Sequence, residues 1–291
     1  METDMTSAIP MLRLPQKEQL VMGSMAEISR TLSVRQPLEV SIGWHVGIER
    51  QQRPNEDSLV ALQSICTYQR QLIPFGLFVV ADGMGGHDCG LEASRIAIQH
   101  MMHTVLQNII MGNELNDEFL IDMLIGGVEW ANLAIYRRGQ EWGKDMGTTL
   151  TAALVVGTKA YIVNVGDSRT YLYREGIGLK QITRDHSLVA SLVAFGQITA
   201  DEVYTHPERN KVYRCVGSDE HVDVDWFMLD LSPQDVLLLC SDGLWEMVRD
   251  PEIRYVLSSR QSLTQSSNTL VEAALRAGGV DNIGLIAVRL P

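Results

Sequence analysis

The stretch Phe78-Val79-Val80-Ala81-Asp82-Gly83-Met84-Gly85-Gly86-His87 is an apolar run that stops at an acid followed by three glycines within four residues. Such a run reads as a buried strand, and the glycines let the backbone turn tightly where the carboxylate emerges. The same idea recurs twice. Val236-Leu237-Leu238-Leu239-Cys240-Ser241-Asp242-Gly243 is again an apolar strand ending in Asp-Gly, and Gly278-Gly279-Val280-Asp281-Asn282 places an acid before the apolar stretch 283–288. Carboxylates held at the ends of rigid strands suit magnesium and manganese, hard cations that take oxygen ligands.

Elsewhere the chain alternates strand and helix patterns. Leu38, Val40, Ile42, Trp44 and Val46 alternate with small or polar residues, the period of a half-buried strand. The loop 49–57 follows, holding Glu56 and Asp57 beside Arg50 and Arg53; an arginine next to paired carboxylates can hold a phosphate that a cation also touches. Two helices are expected at about 90–111 and 117–141, with apolar stripes at Ala93, Ala97, Met101, Val105 and at Leu120, Leu124, Val128, Ala131. These stripes are core, and His100 and His103 on the first helix read as surface residues. Strands are expected at 148–156, 160–165 and 170–174, joined by short turns as in antiparallel hairpins. The polar region 188–216 has the character of a small lid, with Asp185-His186-Ser187 opening a helix and Thr199 with Glu202 resembling a capping box. Strands at 222–229 and 236–241 follow, then a helix capped by Asp250 before Pro251 and a last helix at 268–277.

Composition narrows the partners. The chain of 291 residues carries 36 acidic and 24 basic side chains, a formal charge of −12, which disfavours nucleic acid. Cys66, Cys89, Cys215 and Cys240 form no C-x-x-C pair and read as reduced thiols of a cytoplasmic protein. No apolar run approaches the roughly 20 residues of a membrane span, and Met1-Glu2-Thr3-Asp4 does not open like an export signal. Residues 1–36, broken by Pro10 and Pro15, read as a mobile or loosely docked extension, leaving 37–291 as the folded domain.

The ordered set Asn55-Glu56-Asp57, Ala81-Asp82-Gly83-Met84-Gly85-Gly86-His87, Gly147-Thr148-Thr149, Val165-Gly166-Asp167-Ser168-Arg169, Asp185-His186-Ser187, Ser241-Asp242-Gly243-Leu244-Trp245 and Asp281-Asn282-Ile283 resembles the bacterial branch of the protein phosphatase 2C-type, metal-dependent (PPM) serine/threonine phosphatases. The resemblance covers roughly residues 40–290. It implies an α+β fold, a four-layer α-β-β-α sandwich of two antiparallel sheets flanked by helix pairs. It also implies two or three Mn²⁺ or Mg²⁺ ions and hydrolysis of phosphoserine and phosphothreonine by a water bridging two of them. Asp82 would bridge both metals, Asp242 and Asp281 would complete one, and Glu56 with the Gly83 carbonyl would serve the other. Asp57 would orient a metal-bound water, and Asp167, with Asp242 and Glu246, matches a third metal position. Residues 188–216 match the family's variable flap, where substrate choice is expected.

Two departures from the family pattern stand out. The phosphate-binding arginine usually sits five residues before the aspartate matching Asp57, where this chain has Gln52; Arg53 is the candidate, with Arg50 the rival if the loop bulges. Met84 stands where eukaryotic members carry a proposed general-acid histidine, so leaving-group protonation would rely on metal-bound water, and His87 reads as structural. The resemblance implies phosphorylated protein substrates and functional opposition to a Ser/Thr protein kinase; the negative charge and the lack of a membrane-length apolar run lead to the expectation of no nucleic acid and no membrane partner, and a monomer is expected. The alternatives are a catalytically weak regulatory or phosphoprotein-binding module on the same fold, for which the shifted arginine is the only support, and a metal-dependent nuclease or phosphodiesterase, which the negative charge disfavours.

Overall fold

The computed structural model describes residues 37–68, 71–85, 88–110, 115–259 and 261–291. The extension 1–36 lies outside the described residues. From Leu38 onward the chain runs β1 (Glu39–His45), β2 (Asp57–Tyr68) and β3 (Gln71–Met84), then helices α1 (Asp88–Ile110) and α2 (Asp117–Trp142). Strands β4 (Gly147–Thr148), β5 (Leu150–Val156), β6 (Lys159–Val165), β7 (Arg169–Arg174) and β8 (Gly178–Gln181) come next. The region 188–216 holds helix α3 (Leu188–Ala194) and a 3₁₀ turn (Glu202–Thr205). Strands β9 (Asp225–Asp230) and β10 (Val236–Cys240), helices α4 (Asp242–Trp245), α5 (Asp250–Ser258) and α6 (Leu263–Arg276), and strand β11 (Ile283–Arg289) finish it.

Two antiparallel sheets result, ordered β1-β11-β10-β7-β8 and β2-β3-β5-β6-β9, with β4 pairing the end of β3. The unbroken apolar runs follow from burial on both faces. Along β3, Phe78 and Val80 enter the layer between the sheets, where Leu237, Leu239, Ile286 and Val288 meet them. Leu77, Val79 and Ala81 point the other way, against the α1 and α2 residues Ala97, Met101, Leu124 and Val128. On the second sheet, Leu238, Leu285 and Ala287 pack outward on Ile253, Val256, Leu270 and Ala274 of α5 and α6. With side chains alternating across each strand, one continuous apolar run fills two cores. The expected four-layer arrangement is present.

Several element boundaries differ from expectation. Strand β3 continues through Asp82 to Met84, because Gly83 and Met84 pair with Thr148 and Gly147. The strand expected at 148–156 breaks at Thr149, whose N–H is turned onto the Asp82 carbonyl at 2.8 Å. The last helix begins five residues early, on a capping box in which Ser262 and Gln265 satisfy each other's backbone. Asp250 is the first helical residue of α5 rather than its cap; Arg249 takes the cap position, and the Asp250 carboxylate accepts from the Tyr171 hydroxyl instead. Glu202 and Thr199 form reciprocal bonds, but these precede the 3₁₀ turn, whose cap position, Asp201, makes no side-chain capping bond. Helix α2 is long and apolar enough by composition to cross a bilayer, against the sequence expectation that no run is. Its stripe of Leu120, Leu124, Val128, Ala131 and Ile135 is nonetheless buried in the core.

Candidate active site

The acids meet where the two sheets open. Asp57 at the start of β2 lies directly across the ladder from Asp82 on β3. Glu56 is placed just before it by its own N–H, donated to the Asn282 side chain at 2.7 Å, while Asn282 also donates to the Val46 carbonyl. The other sheet supplies Asp242, in the first turn of α4 immediately after β10, and Asp281, in the loop that enters β11. Ser241 ties the two sheets together: its hydroxyl donates to Asp57 Oδ2 at 2.7 Å and accepts from the Gly284 N–H at 2.9 Å.

Glycine is required at two of these positions by close approach. A Cβ on Gly83 would lie 2.0 Å from the Gly90 carbonyl oxygen, and one on Gly243 would lie 1.9 Å from that of Asn282. The first contact sets the start of α1 against the β3 terminus; the second sets Asp242 beside the Asp281-Asn282 loop. The resulting concentration of carboxylates is electrostatically costly. Burial, with Asp242 and Asp281 adding repulsion, pushes the Asp57 carboxyl up to about 8. Asp242 and Asp281 rise to about 6, also chiefly by burial, and Asp82 and Asp167 are pushed well above the ordinary carboxylate range. A side-chain hydrogen bond from Asp82 offsets part of the rise at Asp242.

Arg50 is the internal counter-ion. Its Nη1 lies 3.1 Å from Glu56 Oε2 and its Nε 2.9 Å from Asp281 Oδ1. Arg53 is exposed, and its N–H closes a turn onto the Arg50 carbonyl at 2.8 Å. With Arg50 drawing Glu56 and Asp281 to itself, no three His, Cys, Asp or Glu side chains among the described residues stand at chelating positions as they are. Three buried carboxylate oxygens nevertheless have no partner among the described residues: Glu56 Oε1, Asp57 Oδ1 and Asp242 Oδ1. Orphaned, desolvated oxygens beside one another are what divalent cations neutralise, so the residues present fit a cation site.

Asp167 lies at the turn between β6 and β7 and is also buried. Its carbonyl accepts from Trp245 Nε1 at 3.0 Å, and the neighbouring Ser168 hydroxyl meets Thr149 Oγ1 at 2.7 Å, the same oxygen that accepts the Asp82 N–H. Arg169 forks onto the Asp185 carboxylate and stacks 3.5 Å over the Trp245 ring. Thus one polar chain runs from Asp82 through Thr149 to the Asp167 turn, and from there to the root of the 188–216 region. Glu246, whose carboxyl is raised by burial, faces Arg209 of that region at 3.4 Å. Ser241, Asn282 and Thr149 each lie inside a motif legible in the sequence, but their positioning roles were not, since those depend on which strands become neighbours. Gly90 gave no such signal. His87 and Gly86 lie outside the described residues.

Known proteins are similar to this chain in sequence and fold. A family model described as protein phosphatase 2C matches residues 47–278. The serine/threonine phosphatase Stp of Listeria monocytogenes is 35% identical over 212 residues, covering 73% of this chain and 83% of that protein. Among solved structures, the serine/threonine phosphatase PstP/Ppp of Mycobacterium tuberculosis superposes with a TM-score of 0.74 at 34% identity, covering 88% of this chain and 99% of that one. The PstP catalytic domain solved in complex with two manganese ions gives a TM-score of 0.72 at 33% identity, covering 87% of this chain and 97% of that one.

Proposed function

The chain belongs to the protein phosphatase 2C family, and from that premise we propose that it is a Mn²⁺- or Mg²⁺-dependent phosphatase acting on phosphoserine and phosphothreonine in proteins. The observation that carries this reading is the set of three partnerless buried carboxylate oxygens on Glu56, Asp57 and Asp242, ringed by Asp82 and Asp281 with raised pKa values. Asp82, Asp242, Asp281, Glu56 and the Gly83 carbonyl would hold two ions, and Asp167 a third. Bound there, the cations would neutralise the carboxylates, lower the pKa of water and clamp phosphoryl oxygens.

The chain's own groups do the rest. Asp57 is gripped at Oδ2 by Ser241, which leaves Oδ1 free to orient the attacking water and take its proton. Of the two arginine candidates, Arg50 already reaches the acids and Arg53 does not; once cations satisfy Glu56 and Asp281, the Arg50 fork is available to a phosphate. No nucleophilic side chain is needed. Residues 188–216 serve as the substrate-selecting flap of a domain spanning 37–291. The free thiols of Cys89, Cys215 and Cys240 support a reducing, cytoplasmic setting, in which the enzyme opposes a Ser/Thr protein kinase.

Incubating the manganese-loaded protein with a phosphothreonine peptide and, separately, with an oligonucleotide tests the reading. Release of phosphate from the peptide alone is expected. Cleavage of the oligonucleotide would favour a phosphodiesterase, and manganese binding without any hydrolysis would favour a phosphoprotein-binding module.

A further inference from the structure

The turn that carries Asp167 is held from outside the acid set. Gly166, with φ +101, cannot bear a side chain: a Cβ would lie 2.7 Å from the Thr149 side chain. Its peptide groups are therefore gripped through the backbone, and one residue grips both sides. The His186 N–H donates to the Gly166 carbonyl at 2.9 Å, and His186 Nδ1 accepts the Gly166 N–H at 3.0 Å. An imidazole nitrogen that accepts is unprotonated, so in the neutral ring the proton sits on Nε2. There it faces Asp225 Oδ2 at 3.3 Å. Arg214 Nη1, 3.1 Å from Nε2, pairs with the other oxygen of the same carboxylate at 2.9 Å. Burial, with Arg214 beside the ring, lowers the His186 pKa, which keeps the accepting form.

We propose that His186 is a positioning residue for Asp167, locked by Asp225 in the tautomer whose Nδ1 accepts from Gly166. A histidine buried for packing alone would not require a carboxylate on the edge strand β9 to fix its ring. The arrangement also holds both ends of the flap, since the Tyr213 N–H donates to the His186 carbonyl at 2.9 Å. The root of the flap, Asp185 and His186, is bolted to the Asp167 turn. The helix α3 beyond stands over a cavity of about 760 Å³ lined by Ala190, Val193, Tyr204 and Arg214. This inference rests on the reading of Asp167 as a cation ligand.

The experiment combines imidazole ¹⁵N NMR of the metal-free protein with manganese isotherms by calorimetry for wild type, Asp167→Ala, His186→Ala, His186→Asn and Asp225→Ala, each verified as folded by thermal melting. Wild type is expected to show a protonated Nε2 and a bare Nδ1. Asp167→Ala should lose one class of manganese binding, and His186→Ala should weaken that class by about tenfold, the usual effect of removing a group that orients a ligand. His186→Asn, whose Oδ1 takes the place of Nδ1, should retain most of it, and Asp225→Ala should mix the tautomers. A proton on Nδ1 in wild type, or a His186→Ala isotherm equal to wild type while Asp167→Ala loses its class, overturns the positioning role alone. An unchanged Asp167→Ala isotherm overturns the ligand reading and the proposal together. Should His186→Ala not fold, an unchanged tautomer and isotherm in Asp225→Ala overturn the proposal.

Discussion

Asp57, Asp82, Asp242 and Asp281 carry a consequence at the scale of single residues. Their carboxyls titrate above the ordinary value of about 3.9 in the metal-free fold, Asp57 at about 8 and Asp242 and Asp281 at about 6. The folded state thus binds more protons than the unfolded chain through this range, and stability must fall as pH rises through the folded pKa values. Denaturant midpoints taken in excess chelator should decline between about pH 5 and pH 8, and saturating manganese should flatten the decline by replacing protons with cations. A flat profile in chelator would mean the acids are not crowded as described. The arginines give a second test. Arg50→Ala should raise KM for a phosphothreonine peptide by about 10–100-fold, the loss of one charge-assisted contact, whereas exposed Arg53→Ala should change it little. Equal effects of the two would remove the distinction drawn between them. Sequence spacing alone could not make that choice, because it cannot reveal that the turn closed by Arg53 N–H on Arg50 swings only one guanidinium onto Glu56 and Asp281.

At the scale of elements, the apolar runs ending in acids were legible because burial on both faces leaves no polar alternation to confuse the reading, as Leu77 to Ala81 illustrate. Less legible was where each strand stops. Gly83 and Met84 extend β3 only because Gly147 and Thr148 arrive beside them from 64 residues away, counting from Gly83 to Gly147, and no local pattern encodes that pairing. The glycines behave in the same divided way. Gly243 is indispensable through its 1.9 Å approach to Asn282, so Gly243→Ala should displace the Asp281 loop and abolish manganese-dependent activity. Gly126 in α2 has open space around its missing side chain, and Gly126→Ala should stabilise by about 1 kcal/mol through helix propensity, with activity intact. Thermal melts and rates for the two variants check both statements; activity surviving in Gly243→Ala would contradict the geometry.

At the scale of the whole molecule, the site exists only because two sheets are docked. Asp57 and Asp82 belong to one sheet, Asp242 and Asp281 border the other, and Ser241 bridges them. Cations bound across that seam should stabilise the entire fold by mass action. At a hundredfold excess over Kd the gain is about 2.7 kcal/mol, which for a domain of this size corresponds to a Tm rise of about 5–10 °C. Magnesium or manganese without effect on Tm would argue against a cation site at the seam. The most direct test is the rate of phosphate release from a phosphothreonine peptide by wild type and Asp242→Ala, each in manganese and in excess chelator. Activity is predicted for manganese-loaded wild type alone; equal turnover in chelator, or wild-type rates from Asp242→Ala, would contradict the account.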